Sequence, residues 1–285
     1  MGPGRMRLLG VVRDRDVDRS GELREDDVRA LVHREFGVGY TTSAWFATYR
    51  LHHRLAARFR QGPCFLAGDA AHIHSPVGAQ GMNTGLQEAH NLACALADVL
   101  VRGMPDARLD RYEAERRPVG RTLVATTDRA FALVTSDGRV ARFVRGRVVP
   151  VIGPIVVRVV PRIAGGSRVF GYLSQTRIHY RMSTDHPAHD GVVGRRLPWT
   201  GDAFDNHAVL RSFTWQVHGY GTYEPEVQAI AASLGLEGHA FPADPHGRLD
   251  PTLVYLERPD GFVAAAASAH AVPGGPPAFR EQLRG

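Results

Sequence analysis

The sequence predicts an α/β fold in two units, and three observations carry that prediction. From Cys64 to Leu100, an apolar run without alternation, a Gly-Asp step, a glycine-rich turn and a helical repeat follow one another. This is the order of a strand–loop–helix unit in a parallel sheet. After Gly194 the pattern changes to short strand-like runs around a helical stretch. The chain has 285 residues, 44% hydrophobic and 22% charged, enough for two ordinary globular domains.

Met6 to Val12 reads as a strand. Asp26 and Asp27 open a short helix with Val28, Leu31, Val32 and Phe36 on one face, and Gly37 ends it. Ala44 to Leu51 reads as a strand weighted with Trp45, Phe46 and Tyr49, and Gln61-Gly62-Pro63 as a turn. Cys64 to Ala67 is expected to be a strand buried on both faces and ending at Gly68-Asp69. A carboxylate would then stand at the carboxyl end of a strand, where open α/β sheets take their ligands. Ser75 to Gly81 is a turn-rich loop. Beyond it, Leu86, Ala89, Ala93, Leu96, Ala97 and Leu100 recur at three- and four-residue spacing. That spacing predicts an amphipathic helix, with Gly85, Ala89 and Ala93 small enough for it to lie close to the sheet.

Leu109 to Phe143 is expected to be helical, and Pro150, Pro154 and Pro161 to break the region that follows. Pro187 to Gly194 is linker-like. Val209 to Val217 then reads as a strand, and Val227, Ile230, Ala231 and Leu234 mark a helix ending at Gly235. Leu253 to Leu256 and Phe262 to Ala265 flank Arg258-Pro259-Asp260-Gly261, a hairpin signal. Phe279 to Leu283 is a short final helix.

The central stretch defines a pocket with an electrostatic sense. Asp69 can accept hydrogen bonds from ligand hydroxyls. The first amides of the helix, at Gly81, Met82 and Asn83, have no intrahelical partner and carry its positive dipole end. Such an end attracts an anion or a carbonyl gaining negative charge. Gly78 and Gly81 let backbone approach a flat ligand.

Gly68-Asp69-Ala70-Ala71-His72, Pro76, Gly78-Ala79-Gln80-Gly81 and Met82-Asn83 resemble the second flavin motif of the FAD-dependent aromatic-ring hydroxylases, the single-component flavoprotein monooxygenases. Tyr112 to Pro118 is similar to that family's next signature. Gly-Asp after a strand is weak by itself, but the whole stretch is specific. The resemblance implies the C-terminal part of a Rossmann-like FAD-binding domain plus a thioredoxin-like α/β domain. Residues 1–60 would be the end of a substrate-binding sheet and 61–165 the C-terminal part of the FAD-binding domain. Residues 166–193 would be a connector, its Ser174 to Arg181 similar to the family's, and 194–285 the thioredoxin-like domain. The family's GxGxxG turn is not found: Gly37-Val38-Gly39 and Gly219-Tyr220-Gly221 have the wrong followers. Its middle Asp-Gly motif is not found either. A dinucleotide-binding half of roughly 100–150 residues is therefore expected to be absent. The chain reads as the C-terminal part of a longer enzyme, or the product of a truncated gene.

What the resemblance implies for chemistry is a monooxygenase that places one oxygen atom of O2 on a phenolic or polyketide-like ring, with FAD as cofactor and NADPH as reductant. Gly68, Asp69, Pro76, Gly78, Gln80, Gly81, Met82 and Asn83 would bind the cofactor. Within that set Asp69 would hold the ribityl chain, and the helix start would face the flavin edge that turns anionic on reduction. Pro76 and Val77 would line the reacting face and exclude water. Trp45, Phe46 and Tyr49 are candidates for an aromatic substrate pocket, though core packing explains them equally well. The C-terminal domain contains no Cys, which leaves it a structural or homodimer-supporting role. Two alternatives stay open: a truncated remnant without FAD that acts as an interaction module, and another FAD-dependent oxidation.

Other classes are disfavoured. The formal charge is +6, but all 35 basic residues are Arg, scattered among acids rather than clustered with aromatics, which argues against nucleic acid. Cys64 and Cys94 read as buried structural thiols without a disulfide framework, which fits a reducing cytoplasm. The longest apolar run, Val148 to Val157, is far below the ~20 residues of a membrane span. His72 and His74, with His52, His53 and His90 nearby, lack a converging ligand set, so no metal is expected. Ser75 has no Gly-x-Ser-x-Gly elbow. Glu113, Glu115, Arg116 and Arg117 read as ion-paired helix surface that supports packing.

Overall fold

The computed structural model describes residues 6–8, 10–12, 23–75, 80–136, 138–154, 159, 178–182, 191–201, 204–269 and 275–284. Pro76, Val77, Gly78, Pro161, most of the connector and the first half of the linker-like segment from Pro187 to Gly194 lie outside the described residues.

The first helix, α1 (Glu25–Phe36), has Glu25, Asp26 and Asp27 in its first turn and ends at Gly37 in the left-handed conformation (φ 64°). The acids favour the positive helix end, and glycine takes the left-handed C-cap without a Cβ clash. Four two-residue strands follow: β1 (Arg54–Leu55), β2 (Arg60–Gln61), β3 (Cys64–Phe65) and β4 (His72–Ile73). β1 pairs with β4 and β2 with β3, both antiparallel.

The expected doubly buried strand at 64–67 is therefore corrected. Its first two residues form one arm of a small hairpin, Cys64 is exposed and Leu66 is 39% exposed. A two-stranded ladder with no further neighbour among the described residues cannot cover both its faces. Met6 to Val12 and Ala44 to Leu51 likewise form no strand among the described residues. Trp45 is 75% exposed, Tyr49 66% and Phe46 37%, so core packing does not account for these aromatics among the described residues.

Two long helices carry the middle of the chain: α2 (Gly81–Leu100) and α3 (Asp110–Thr135). A short helix, α4 (Arg139–Phe143), follows. Helical turns continue through Pro150 to residue 154, after a wide π turn at Val144–Val148. That insertion shifts the hydrogen-bond ladder locally, and the expected break at Pro150 does not occur; what directly follows Pro154 lies outside the described residues.

Residues after Gly194 build their own four-stranded sheet. Its strands are β5 (Gln216–Tyr220), β6 (Glu237–Phe241), β7 (Leu253–Glu257) and β8 (Val263–Ser268), in the order β6-β5-β7-β8. β5 and β6 are parallel, joined across α5 (Glu224–Leu234), while β7 runs antiparallel to both β5 and β8. Val209 to Ser212, expected to begin a strand, is a 3₁₀ turn, and the strand starts at Gln216. Helix α6 (Pro277–Arg284) packs on β8. Trp215, Val217, Ile230, Val254, Leu256 and Phe279 fill one side of the sheet, and Tyr220, Tyr255, Val263 and Leu249 the other.

Candidate functional site

The site is built where α2 meets the Gly68–Asp69 step. Gly68 to Ala70 make one 3₁₀ turn in which Gly68 has φ +59°, so a side chain there would be strained. Its Cα faces Gly85 on α2, and a Cβ on Gly85 would stand 3.4 Å from it. Two glycines thus let the turn lie directly on the helix. Asp69 is exposed at the crest of this turn.

Helix α2 starts at Gly81 without a side-chain cap and with no acid in its first turn. The amides at its start therefore have no carboxylate competing for them. His74 donates Nδ1–H to the Ser75 carbonyl at 2.7 Å. The far edge of its ring lies against Gly81, where an added Cβ would meet Nε2 at 2.8 Å. Gln80 is buried at the helix cap, Gly81 and Asn83 are half-buried, and Met82 is 75% exposed.

The period of α2 is as expected, but its orientation is not. Thr84, Glu88, Asn91, Cys94, Ala95 and Asp98 form its buried face. Leu86 is 63% exposed and Leu100 77%, and Ala89 and Ala93 also face outward. A polar inner face is tolerable only when its groups are paired, and the pairs are present. Glu88 accepts from the Gly68 amide at 2.8 Å and from His72 Nε2 at 2.9 Å. Asn91 donates to Glu115 at 3.0 Å and to Asp260 at 2.9 Å. Asp98 accepts from Arg102 at 2.7 Å, from Arg108 at 3.0 Å and from the Trp215 indole at 3.0 Å.

The α3 signature supplies one counter-charge, Arg116, and several further partners. Glu113 accepts from the Phe59 and Arg60 amides at 2.7 and 3.0 Å, and Tyr112 donates to the Leu66 carbonyl at 2.7 Å. Arg116, fully buried, donates to the Tyr180 hydroxyl at 2.9 Å and to the Thr84 carbonyl at 3.2 Å. Its Nη2 stands 3.9 Å from Glu88. Glu115 grips Arg258 of the C-terminal unit. Glu115 and Arg116 are therefore core, not the surface that helical spacing alone implies, because each has a partner from another element.

Arg258 and Asp260 were not singled out as functional by sequence reasoning, which read them as a hairpin turn. The one available signal was their charge beside a turn that is otherwise small and polar. Burial lowers the Arg258 pKa, but Asp260 and Glu115 outweigh it and hold the guanidinium charged. Burial raises the Asp260 pKa, but Arg258 and Arg108 overcome this and hold it ionised. Cys94, buried beside this network, has its thiol pushed up to about 12 by burial first and by Asp260 second.

An exposed carboxylate on a glycine turn, beside a helix start without a side-chain cap, suits a cofactor bearing hydroxyls and a ring edge that gains negative charge. The class so defined is a cofactor-binding α/β protein. Residues 3–127 match the model of the FAD binding domain family. It is 39% identical over 161 residues to the 6-methylpretetramide 4-monooxygenase of Streptomyces rimosus, covering 55% of this chain and 28% of that protein. It is 36% identical over 242 residues to the tetracenomycin B2 monooxygenase-dioxygenase of Streptomyces olivaceus, covering 76% of this chain and 41% of that protein. Among solved structures it resembles the OxyS anhydrotetracycline hydroxylase of Streptomyces rimosus with a TM-score of 0.71 and 27% identity, over 92% of this chain and 52% of that one. The chain thus spans about half or less of the length of the relatives it matches.

Proposed function

We propose that this chain forms the ribityl and ring side of the FAD site in a monooxygenase that hydroxylates a phenolic or polyketide-like ring, with NADPH as reductant. The observation that carries the reading is the Gly68–Gly85 contact, which sets the exposed Asp69 turn against the uncapped start of α2. The names of the relatives, a 6-methylpretetramide 4-monooxygenase and a tetracenomycin B2 monooxygenase-dioxygenase, support the reaction class.

Bound FAD supplies the redox chemistry that transfers one oxygen atom to the ring. The chain's own residues bind and orient. Asp69 accepts from the ribityl hydroxyls. The amides of Gly81, Met82 and Asn83 face developing negative charge with the dipole of a twenty-residue helix behind them. Gly68 and Gln80 shape the backbone around them, and Pro76, Val77 and Gly78, outside the described residues, are assigned to the cofactor by family resemblance alone. Glu88, pinned by Gly68 and His72, keeps the turn from moving when charge changes nearby.

The C-terminal unit is read as thioredoxin-like from its parallel β5–β6 pair, its β7–β8 hairpin and its flanking helices. It contains no cysteine, so its role is structural, in this chain or in a homodimer. No helix of the described residues is long and apolar enough to cross a membrane, and a cytoplasmic enzyme is the reading we adopt.

The test is an absorbance spectrum in the flavin bands. These 285 residues carry no GxGxxG turn, so we expect little FAD uptake by the chain alone. Joined in one chain to a glycine-rich dinucleotide-binding segment, it should turn yellow and consume NADPH with a phenolic substrate. Asp69→Ala in that longer chain should weaken FAD retention. Stoichiometric FAD in the chain alone would show that the pyrophosphate cradle is dispensable. A longer chain that never takes up flavin would favour the second reading, an interaction module, for which the exposed apolar stripe of α2 speaks.

A further inference from the structure

Behind the candidate site, a continuous set of buried contacts leads from the Gly68 turn into the C-terminal unit. Glu88 lies under the turn, accepting from the Gly68 amide. Arg116 is the cation facing Glu88, and its Nη1 is satisfied by the Tyr180 hydroxyl at 2.9 Å. Its Nε has no partner among the described residues, so the two Nη groups alone fix the guanidinium. Tyr180 is itself held from three sides. Its amide donates to the Gly194 carbonyl at 2.7 Å, and its ring stacks on Phe262 at 4.2 Å between centroids. The Arg258 guanidinium lies over the same ring at 5.4 Å. Phe262 and Arg258 both belong to the β7–β8 hairpin region, so that hairpin decides where the hydroxyl stands.

We propose that Tyr180 is a positioning residue for the Gly68–Asp69 turn, holding the Arg116 guanidinium 3.9 Å short of Glu88 so that the C-terminal unit sets the geometry of the flavin site. The physical reason is that a guanidinium in a dry interior must keep its hydrogen-bond partners. Take away the hydroxyl, and Arg116 turns to find another acceptor. The nearest carboxylate is Glu88, whose oxygens already hold Gly68 and His72. Arg116 stands nearest Oε1, the oxygen that holds His72, and drawing it in turns the whole carboxylate, so that Oε2 leaves the Gly68 amide and the turn loosens. Tyr180 touches neither flavin nor substrate in this scheme. It acts through two other side chains, and its meaning for catalysis rests on the flavin reading above.

The experiment is residue-resolved amide exchange on the intact chain, with FAD titration alongside. Tyr180→Phe should speed exchange at Gly68 about tenfold or more, the scale of a lost hydrogen bond to a charged group. Tyr220→Phe is the control. Tyr220 is also buried, and its hydroxyl accepts from Asn206 at 2.9 Å, outside this set of contacts. It should leave Gly68 exchange unchanged. Arg116→Lys reads the same link from the other side, should Tyr180→Phe not fold, and should also expose Gly68. Unchanged Gly68 exchange in Tyr180→Phe, or equal acceleration in Tyr220→Phe, overturns the proposal. If the wild-type chain binds FAD measurably, Tyr180→Phe should weaken that binding by a similar factor. If it binds none, the exchange result still decides the positioning role, and only the flavin reading is affected.

Discussion

Arg258 and Glu115 lie 143 positions apart in sequence and meet as a buried bidentate pair, Nη1 to Oε1 at 2.5 Å and Nη2 to Oε2 at 2.9 Å. The same guanidinium donates to Asp260 at 3.0 and 2.8 Å. One cation thus serves two carboxylates, and Asn91 bridges those carboxylates from α2. The C-terminal unit is thereby tied to α3 by Arg258 and to α2 by Asn91, with the Trp215 indole on Asp98 a further link to α2.

Removing Arg258 alone should be costly. Arg258→Met leaves Glu115 and Asp260 buried without their cation, and breaking such a pair costs about 3–5 kcal/mol. Urea unfolding should show this as a lower midpoint. In a double-mutant cycle with Glu115→Gln, the coupling should exceed about 1 kcal/mol. Additive single effects would mean that the two groups do not act as a pair.

Glu257 predicts the pH dependence. Both its carboxyl oxygens are buried with no partner among the described residues, and burial, with Asp260 nearby, pushes it from 4.5 up to about 8. Between those values the folded chain keeps a proton that the unfolded chain has released. Stability should therefore fall as pH rises from 4.5 through about 8, and level off above, by a few kcal/mol in total. Glu257→Gln should remove most of that slope and be the more stable form at pH 8.5. A wild-type unfolding midpoint that rises over the same interval would contradict the assignment.

The outward apolar stripe of α2 should govern solubility. Met82→Glu with Leu86→Glu changes two residues that are 75% and 63% exposed. Surface changes of this kind move stability by about 0.5 kcal/mol or less each, while the loss of an apolar patch lowers self-association. Light scattering should fall and Tm should hold. A large drop in Tm would show that this face is covered in solution.

The two thiols should separate cleanly. Cys64 is exposed and Cys94 is buried with its pKa pushed up to about 12. A thiol reagent should modify one cysteine in the native chain and two in denaturant. Cys64→Ser should abolish the native reaction; fast labelling that persists in that variant would place Cys94 at the surface.

Gly68→Ala tests the turn. At φ +59° an L side chain costs about 1–2 kcal/mol, and the added methyl would also approach Gly85. Thermal unfolding should register the loss. The same substitution at Gly62, also at positive φ but with open space around it, should cost only the conformational part.

Local chemistry alone determined a good deal of this protein. The spacing of Leu86, Ala93 and Leu100 gives a helix, and Gly81 and Leu100 bound it closely. Gly37 and Gly235 end α1 and α5 as left-handed caps. The hairpin at Arg258 to Gly261 is where its turn residues place it. These features depend on dihedral preference and on neighbours within a few residues. The run Gly68 to His72 and the helix after it also carried the family resemblance.

Which side of α2 faces inward could be decided only by the tertiary structure. A hydrophobic stripe names the inner face when burial is driven by apolar area. Here the inner positions hold Glu88, Asn91 and Asp98, and they are stable there because His72, Arg116, Glu115, Asp260, Arg108 and Trp215 converge on them from elsewhere in the chain. The strand expected at 64–67 failed for a related reason: an apolar run becomes a buried strand only when other strands flank it, and among the described residues β3 has β2 alone. Long-range partners leave no periodic trace in sequence. A charge reads as surface until the fold brings its counter-charge, and that is why Glu115, Arg116 and Arg258 became legible only in three dimensions.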